Sequence, residues 1–225
     1  DYKDDKYIYK LTVKGAEAGT ITSETPIVGG IRNVIPNRNI TGNWASATNY
    51  PISWNSAENG KVYELIMVFH YSEIFYSDLN KKVPKSLEWP FFSGYESEGT
   101  EGDVKMRYEI PSQNFFYFLK SKIRNDEKVC RRIADSLDLK FYIGAEIFNT
   151  YIEVSQAQTG ITQTQIKPEY TNIANGYGLF SSRYDTVIYG VKFHAGTLDS
   201  LACGKITKNL QFEPDNKSAC EYCND

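Results

Sequence analysis

Histidine and cysteine, the side chains that most often serve as near-neutral bases and soft metal ligands, are scarce here: two and four in 225 residues. Only His70 and His194 could act as imidazole bases, and both sit in apolar, strand-like runs where a satisfied structural histidine is the more frequent outcome. No Gly-x-Ser-x-Gly, His-Glu-x-x-His or Walker loop occurs. There is no basic excess either. The net charge is -3 and the longest basic cluster is Arg131-Arg132 beside Cys130, which excludes the basic stripe of a nucleic-acid binder. No apolar run approaches the ~20 residues of a membrane-crossing helix. Repeats, low-complexity linkers and a signal peptide are absent from the sequence, which begins at Asp1 without a Met. It therefore reads as a trimmed or mature product. Asp1 to Asp5 resembles part of an epitope tag, but the segment runs straight into strand-like sequence, and a native start is expected. The expectation is a non-enzyme with no cofactor, no metal and no nucleic-acid partner.

What the chain does have is aromatic residues. They make up 14% of it, and 17 are Tyr, which suits half-buried sheet faces and binding surfaces that use a flat ring with a polar tip. Ile8, Leu11 and Val13, then Ile21, Ile27 and Val28, mark two short strands around a turn bracketed by Gly15 and Gly19. The Asn-, Gly- and Pro-rich segment from Ile31 to Pro51 reads as a connection. Ile52 and Trp54 alternate on the next strand. Asn59-Gly60 is a turn dipeptide, and Val62 to Tyr71 is a long strand with Tyr63, Leu65, Met67 and Phe69 on one face. A strand near Lys85 to Gly94 contains Pro90, which confines it to an edge or a bulge. Another alternates through Val104, Met106, Tyr108 and Ile110. The period then changes: Phe115, Phe118, Leu119 and Ile123 fall on one helical face after a candidate N-cap at Ser112. A second short helix is predicted around Glu127 to Ala134. Strands follow through Leu139, Phe141 and Ile143, on into Tyr151 and Ile152, and again from Thr186 to Leu198. The expected fold is mainly β, an immunoglobulin-like antiparallel β-sandwich with a helical insertion near 112–135. Its expected divisions are N-terminal strands and a connection over 1–45, the sandwich over 46–200, and a Cys-containing tail over 201–225.

Three cysteines, Cys203, Cys220 and Cys223, lie in the last 23 residues. A disulfide from Cys203 to Cys220 or Cys223 is the favoured reading, with the pairing open. The same residues with His194 have the ligand types for zinc but no fixed metal spacing. Cys130 is expected to be a small buried thiol on the second helix. Glycoside hydrolysis needs two carboxylates, and the sequence singles out only Glu146, beside Gly144 in an apolar run that could bury it in part, while a solvent-facing strand residue is the favoured reading. Asn39-Ile40-Thr41 and Asn216-Lys217-Ser218 match the glycosylation sequon. Trp44, Trp89, Tyr95 and Tyr177 fall in Gly-, Asn- and Pro-rich stretches. There they either cap the sandwich ends or stack on the rings of a glycan.

The stretch from Glu169 to Gly190 carries the most specific pattern. Gly176-Tyr177-Gly178 lacks the third glycine and the strand–helix context of a dinucleotide loop. Asn175-Gly176 marks a turn, Thr171 and Asn172 can bond their own backbone, and Leu179 and Phe180 are placed to plug the sandwich end. This reads as a buried ordering loop in which Arg183 pairs with an acid. The alternative is a partner-docking face made of Tyr170, Asn172, Asn175, Tyr177, Phe180 and Arg183, with Trp44 and Trp89 as further binding aromatics. The Trp54 strand, short turn and Tyr63-x-Leu65 resemble the second and third strands of a fibronectin type III or other immunoglobulin-like sandwich. More broadly, "PEYTNIANGYGLFSSR" (168–183), "ISWNSAENGKVYELIMVFHYSE" (52–73) and "NFFYFLKSKIRND" (114–126) resemble an uncharacterised family of cell-envelope lipoproteins of Bacteroidota-type bacteria, often encoded beside TonB-dependent outer-membrane receptors. The resemblance covers roughly residues 50–190 and carries over no catalytic residue. It implies an outer-membrane location through a lipid on a Cys preceding Asp1. It also implies an accessory or binding role beside an outer-membrane complex such as a TonB-dependent receptor. A glycan-binding or glycan-processing surface protein is the second expectation.

Overall fold

The computed structural model describes residues 7–15, 19–45, 48–157 and 170–215. Nine strands and three helices occur among them: β1 (Ile8–Gly15), β2 (Gly19–Pro26), β3 (Arg32–Ile35), β4 (Asn49–Asn55), β5 (Val62–Phe75), β6 (Asp78–Glu96), β7 (Lys105–Pro111), α1 (Gln113–Lys122), β8 (Val129–Gly144), α2 (Glu146–Ala157), β9 (Arg183–Val191) and α3 (Ala195–Cys203). A short 3₁₀ turn, Lys208–Leu210, follows. Every named strand pair is antiparallel. One sheet has the order β3-β4-β7, a second has the order β6-β5-β8-β9, and β1 and β2 form a separate ribbon. The fold is mainly β and consistent with a β-sandwich.

Alternation along the strands builds the core. Tyr63, Leu65, Met67 and Phe69 of β5 point inward and are buried, and Leu137, Leu139, Phe141 and Ile143 of β8 continue that face. From the opposing sheet, Trp54 of β4 stacks on Phe92 of β6 at 5.6 Å and meets Phe141 of β8 at 5.4 Å. One ring from the small sheet therefore touches two strands of the large one, which holds the layers face to face. Residues from both flanking segments join this core. β3 pairs with β4, Trp44 is 1% exposed, and Leu201, Leu210 and Phe212 are buried. The buried face of α1 closes over it: Phe115, Leu119 and Ile123 of the expected helical face are buried, Phe118 is half-buried, and Phe116 is buried beside them. β6 is an edge strand, where Pro84 and Pro90 cost no ladder bond.

Several expectations are overturned. Residues 127–134 form no helix. From Val129 they are the first half of β8, because the long β5 presents a free edge and Ser72 and Glu73 pair with Ile133 and Arg132. Cys130 is accordingly a half-buried free thiol on a strand. Glu146 faces solvent as the favoured reading has it, but it opens α2 and not a strand; its charge complements the helix N-terminus, and Tyr151 and Ile152 are helical rather than extended. The last strand ends at Val191, and α3 begins at Ala195 with the His194 ring accepting a hydrogen bond from Gly196 N at 3.1 Å. Asn59 does adopt the left-handed conformation expected of the turn, at φ 60°, but β4 and β5 belong to different sheets, so the turn is a crossing between layers and not a hairpin. Cys203 takes part in a disulfide. The candidate partners Cys220 and Cys223 lie outside the described residues, as do Pro168, Glu169 and the second sequon.

Candidate functional site

The loop 170–182 is stitched to the β1–β2 ribbon by polar groups that the local sequence provides. The Asn172 side chain closes the loop on itself: its amide donates to Phe180 O at 2.7 Å and its oxygen accepts from Phe180 N at 2.9 Å. Its carbonyl accepts from Ser23 Oγ at 2.7 Å. Asn175 stands at φ 59° and donates to Thr20 O at 3.0 Å. Thr22 and Ala174 exchange backbone hydrogen bonds of 2.8 and 3.3 Å, so a single antiparallel bridge ties the loop to β2. Ser182 Oγ bonds Pro26 O and receives Val28 N.

This is an ordering loop, but it is not buried. Tyr170, Leu179 and Phe180 are only half-buried. Tyr177 is 84% exposed. Arg183 is exposed at the start of β9 and sits over the Tyr142 ring at 5.8 Å. It also lines a cavity of about 500 Å³ with Glu64, Glu96 and Glu153, yet no ion pair joins it to an acid among the described residues.

The expected binding aromatics Trp44 and Trp89 do not join this face. Trp44 is a core residue, stacked on Tyr50 at 3.5 Å and on Phe115 at 4.8 Å. Trp89 and Tyr95 lie on β6 rather than in loops, and Trp89 stacks on Phe118 of α1 at 5.1 Å. What the loop does join is a feature the sequence reading missed. On and just before β1, Tyr7, Ile8, Tyr9 and Val13 are all exposed, on both faces of the ribbon. The signal was present: Ile8, Leu11 and Val13 do not keep one parity, so no single face of this strand can be buried.

His70 bonds Asp138 at 2.9 Å on the open face of the large sheet. Burial pushes the Tyr50, Tyr63 and Tyr71 phenols above their ordinary range, and all three are core residues. Among the described residues no cluster of His, Cys, Asp and Glu could hold a metal ion, and no helix is long and apolar enough to cross a membrane. No family model, curated protein or solved structure matches the chain. Its functional reading rests on the geometry of the ribbon and loop.

Proposed function

We propose that the chain is a non-enzymatic binding module that docks a partner protein through the β1–β2 ribbon and the loop 170–182. One observation carries this. Four large apolar side chains, 47–66% exposed, stand on or beside a strand that is paired on one edge only among the described residues, in a ribbon fastened to the loop that carries Tyr177. An exposed strand with a free edge is a template for strand addition: main-chain hydrogen bonds supply affinity and alternate side chains supply specificity. Tyr is well suited to such a face because it brings large contact area with little rotamer entropy to lose.

Within that reading the sandwich is immunoglobulin-like. The strand order supports it: a three-stranded sheet in the A-B-E pattern faces a four-stranded sheet in the C′-C-F-G pattern, with the Trp strand crossing directly to the neighbouring layer. The module is an exported envelope lipoprotein, anchored at the outer membrane through a lipid on a Cys preceding Asp1. Its partner is an outer-membrane complex of the TonB-dependent receptor kind, for nutrient uptake or surface assembly, and Cys203 pairs with Cys220 or Cys223.

The test is a pull-down of the full-length tagged protein from gently solubilised envelopes, read by mass spectrometry, beside a Tyr9→Asp/Tyr177→Asp variant. A stoichiometric outer-membrane component that the variant loses supports the docking face. Recovery of the wild type alone, or equal recovery with the variant, refutes it. Free-thiol titration of the denatured, unreduced protein tests the staple, and four reactive thiols would remove it.

A further inference from the structure

We propose that the cavity between α2 and the outer face of the large sheet is a binding site for a small zwitterion of the α-amino-acid type, with an apolar side chain. The cavity has a volume of about 500 Å³, within the range of small-molecule sites. It shares no residue with the β1–β2 ribbon or the loop 170–182, so the inference stands apart from the docking reading. Alternation along β5 turns Val62 and Glu64 away from the core, and Glu64 lies across the ladder from Tyr142 of β8. Gly144 lets α2 lie close over this face: an added Cβ there would stand 2.5 Å from Phe148 Cδ1 and 2.9 Å from Val62 Cγ1. Phe148, Ile152 and Val62 give the cavity its apolar wall, and Tyr142 an aromatic one.

The charges of the wall define the ligand. Four charged side chains line the cavity, and two of them are taken up within the protein. Glu96 faces Lys61 at 3.7 Å, and Glu153 accepts from Asn149 Nδ2 at 3.0 Å. The other two are the half-buried Glu64 and the exposed Arg183. Neither makes an ion pair, and the Glu64 carboxylate accepts no hydrogen bond, among the described residues. They stand on β5 and β9, two strand spacings or roughly 10 Å apart, on either side of Tyr142, with the guanidinium 5.8 Å over its ring. β6 opens beside Glu64: Tyr63 pairs with Tyr95 but Leu65 with Phe92, so Ser93 and Gly94 form a bulge opposite the carboxylate. Asn149 adds an acceptor. It is 7% exposed and lines the cavity, and its Oδ1 accepts no hydrogen bond among the described residues, yet it is not one of the atoms sealed from water. The cavity therefore offers a carboxylate and an amide oxygen to an ammonium group, and a planar guanidinium to a carboxylate. A simple cation would leave Arg183 unpaired, and a simple anion would leave Glu64 unpaired. A zwitterion satisfies both, and the rings and methyls around them suit an apolar side chain.

The experiment is calorimetric titration of the full chain with L-phenylalanine and L-leucine, each beside the amine that lacks its carboxylate and the acid that lacks its amine. For phenylalanine these are phenethylamine and 3-phenylpropanoate. The proposal expects an amino acid to bind roughly tenfold or more tightly than either of its analogues, in line with charge-assisted hydrogen bonds at both ends. Glu64→Gln should weaken amino-acid binding about tenfold and leave binding of the acid analogue within about twofold, and Arg183→Met should do the same with respect to the amine analogue. Near-UV circular dichroism checks that the variants keep the native fold. No binding of either amino acid up to ~10 mM overturns the proposal. So does an analogue that binds as tightly as its amino acid, or amino-acid binding that is indifferent to either variant.

Discussion

Replacing Arg132 with Met should be among the most damaging single changes in the molecule. Arg132 is 2% exposed at a position where β8 passes under the C-terminal segment. Its Nε and Nη2 both lie 2.9 Å from Glu73 Oε1, Nη1 donates to Leu210 O at 2.8 Å and Gln211 Oε1 at 3.3 Å, and Nη2 donates to Arg124 O at 3.1 Å. Its backbone binds the same segment, with Arg132 N to Gln211 O at 2.7 Å and Glu213 N to Arg132 O at 2.8 Å. Removing the guanidinium leaves Glu73, itself 8% exposed, facing only Lys85 at 3.9 Å. A buried charge stripped of its partner costs about 3–5 kcal/mol. That is a large share of the ~5–15 kcal/mol of a typical domain. Replacing both partners, as Arg132→Met/Glu73→Leu, removes the orphaned charge along with the pair, and should recover most of the loss, to within about 1–2 kcal/mol of wild type. Urea unfolding is the appropriate assay, because guanidinium salts screen ion pairs. The double-mutant cycle then gives the coupling directly. A cost below about 1 kcal/mol for Arg132→Met, or a double variant as unstable as the single, would refute the reasoning.

Three further predictions concern stability. Ser112→Ala removes a buried hydroxyl that lacks a partner among the described residues, and should raise the unfolding free energy by about 1 kcal/mol; a loss would show that the hydroxyl is satisfied in solution. Gly102→Ala should cost about 2–3 kcal/mol, because the residue stands at φ 79° and an added Cβ would lie 2.8 Å from Glu58 N; thermal melting checks it. The phenols of Tyr50, Tyr63 and Tyr71 are held neutral by burial, with the Glu73 charge adding to the effect at Tyr71. An unfolded Tyr loses its proton near pH ~10 and a raised, folded one later, so above that pH the native state holds more protons. Stability is therefore full below pH ~10 and is lost as pH rises above it, most steeply through Tyr50 at up to about 1.4 kcal/mol per pH unit, with Tyr63 and Tyr71 adding in the same direction. A flat urea midpoint from pH 9 to 11 would argue against it.

The parts of the fold legible in the sequence are those where one element buries one face. Tyr63, Leu65, Met67 and Phe69 of β5 carry an unbroken period and all face inward, and the face read for α1 is buried at Phe115, Leu119 and Ile123, with Phe118 half-buried and Phe116 missed. Pro90 placed β6 at an edge because a missing N–H has few other homes in a sheet. The failures occurred where tertiary partners outvoted local chemistry. Val129 to Ile133 became a strand because β5 offered it a ladder. α3 was hidden by its start signal, since His194 caps it in place of the usual Ser, Thr, Asp or Asn. Trp44 looked like a loop residue among Gly42, Asn43 and Ala45. It is buried because Tyr50 and Phe115 sandwich its ring and Thr197, far along the chain, binds its backbone N–H at 2.8 Å. At the candidate docking face the loop's self-bonding residues were legible, while the exposure of β1 depended on where the ribbon stands relative to the sandwich.

The aromatic core has an optical consequence. Trp44 lies 5.9 Å from Trp89 and 3.5 Å from Tyr50, while Trp54 touches Phe92 and Phe141 and connects to the first group through the Phe91–Phe92 contact at 6.0 Å. Indole and phenol transitions held this close and at fixed angles couple to one another, so the near-ultraviolet dichroism should be strong and should vanish when the layers separate, even where strand content survives. Trp44 and Trp54 are both shielded from water, so their emission should be blue-shifted in the native protein and move to longer wavelength on unfolding. Without any added label, the chain reports whether its two sheets are together.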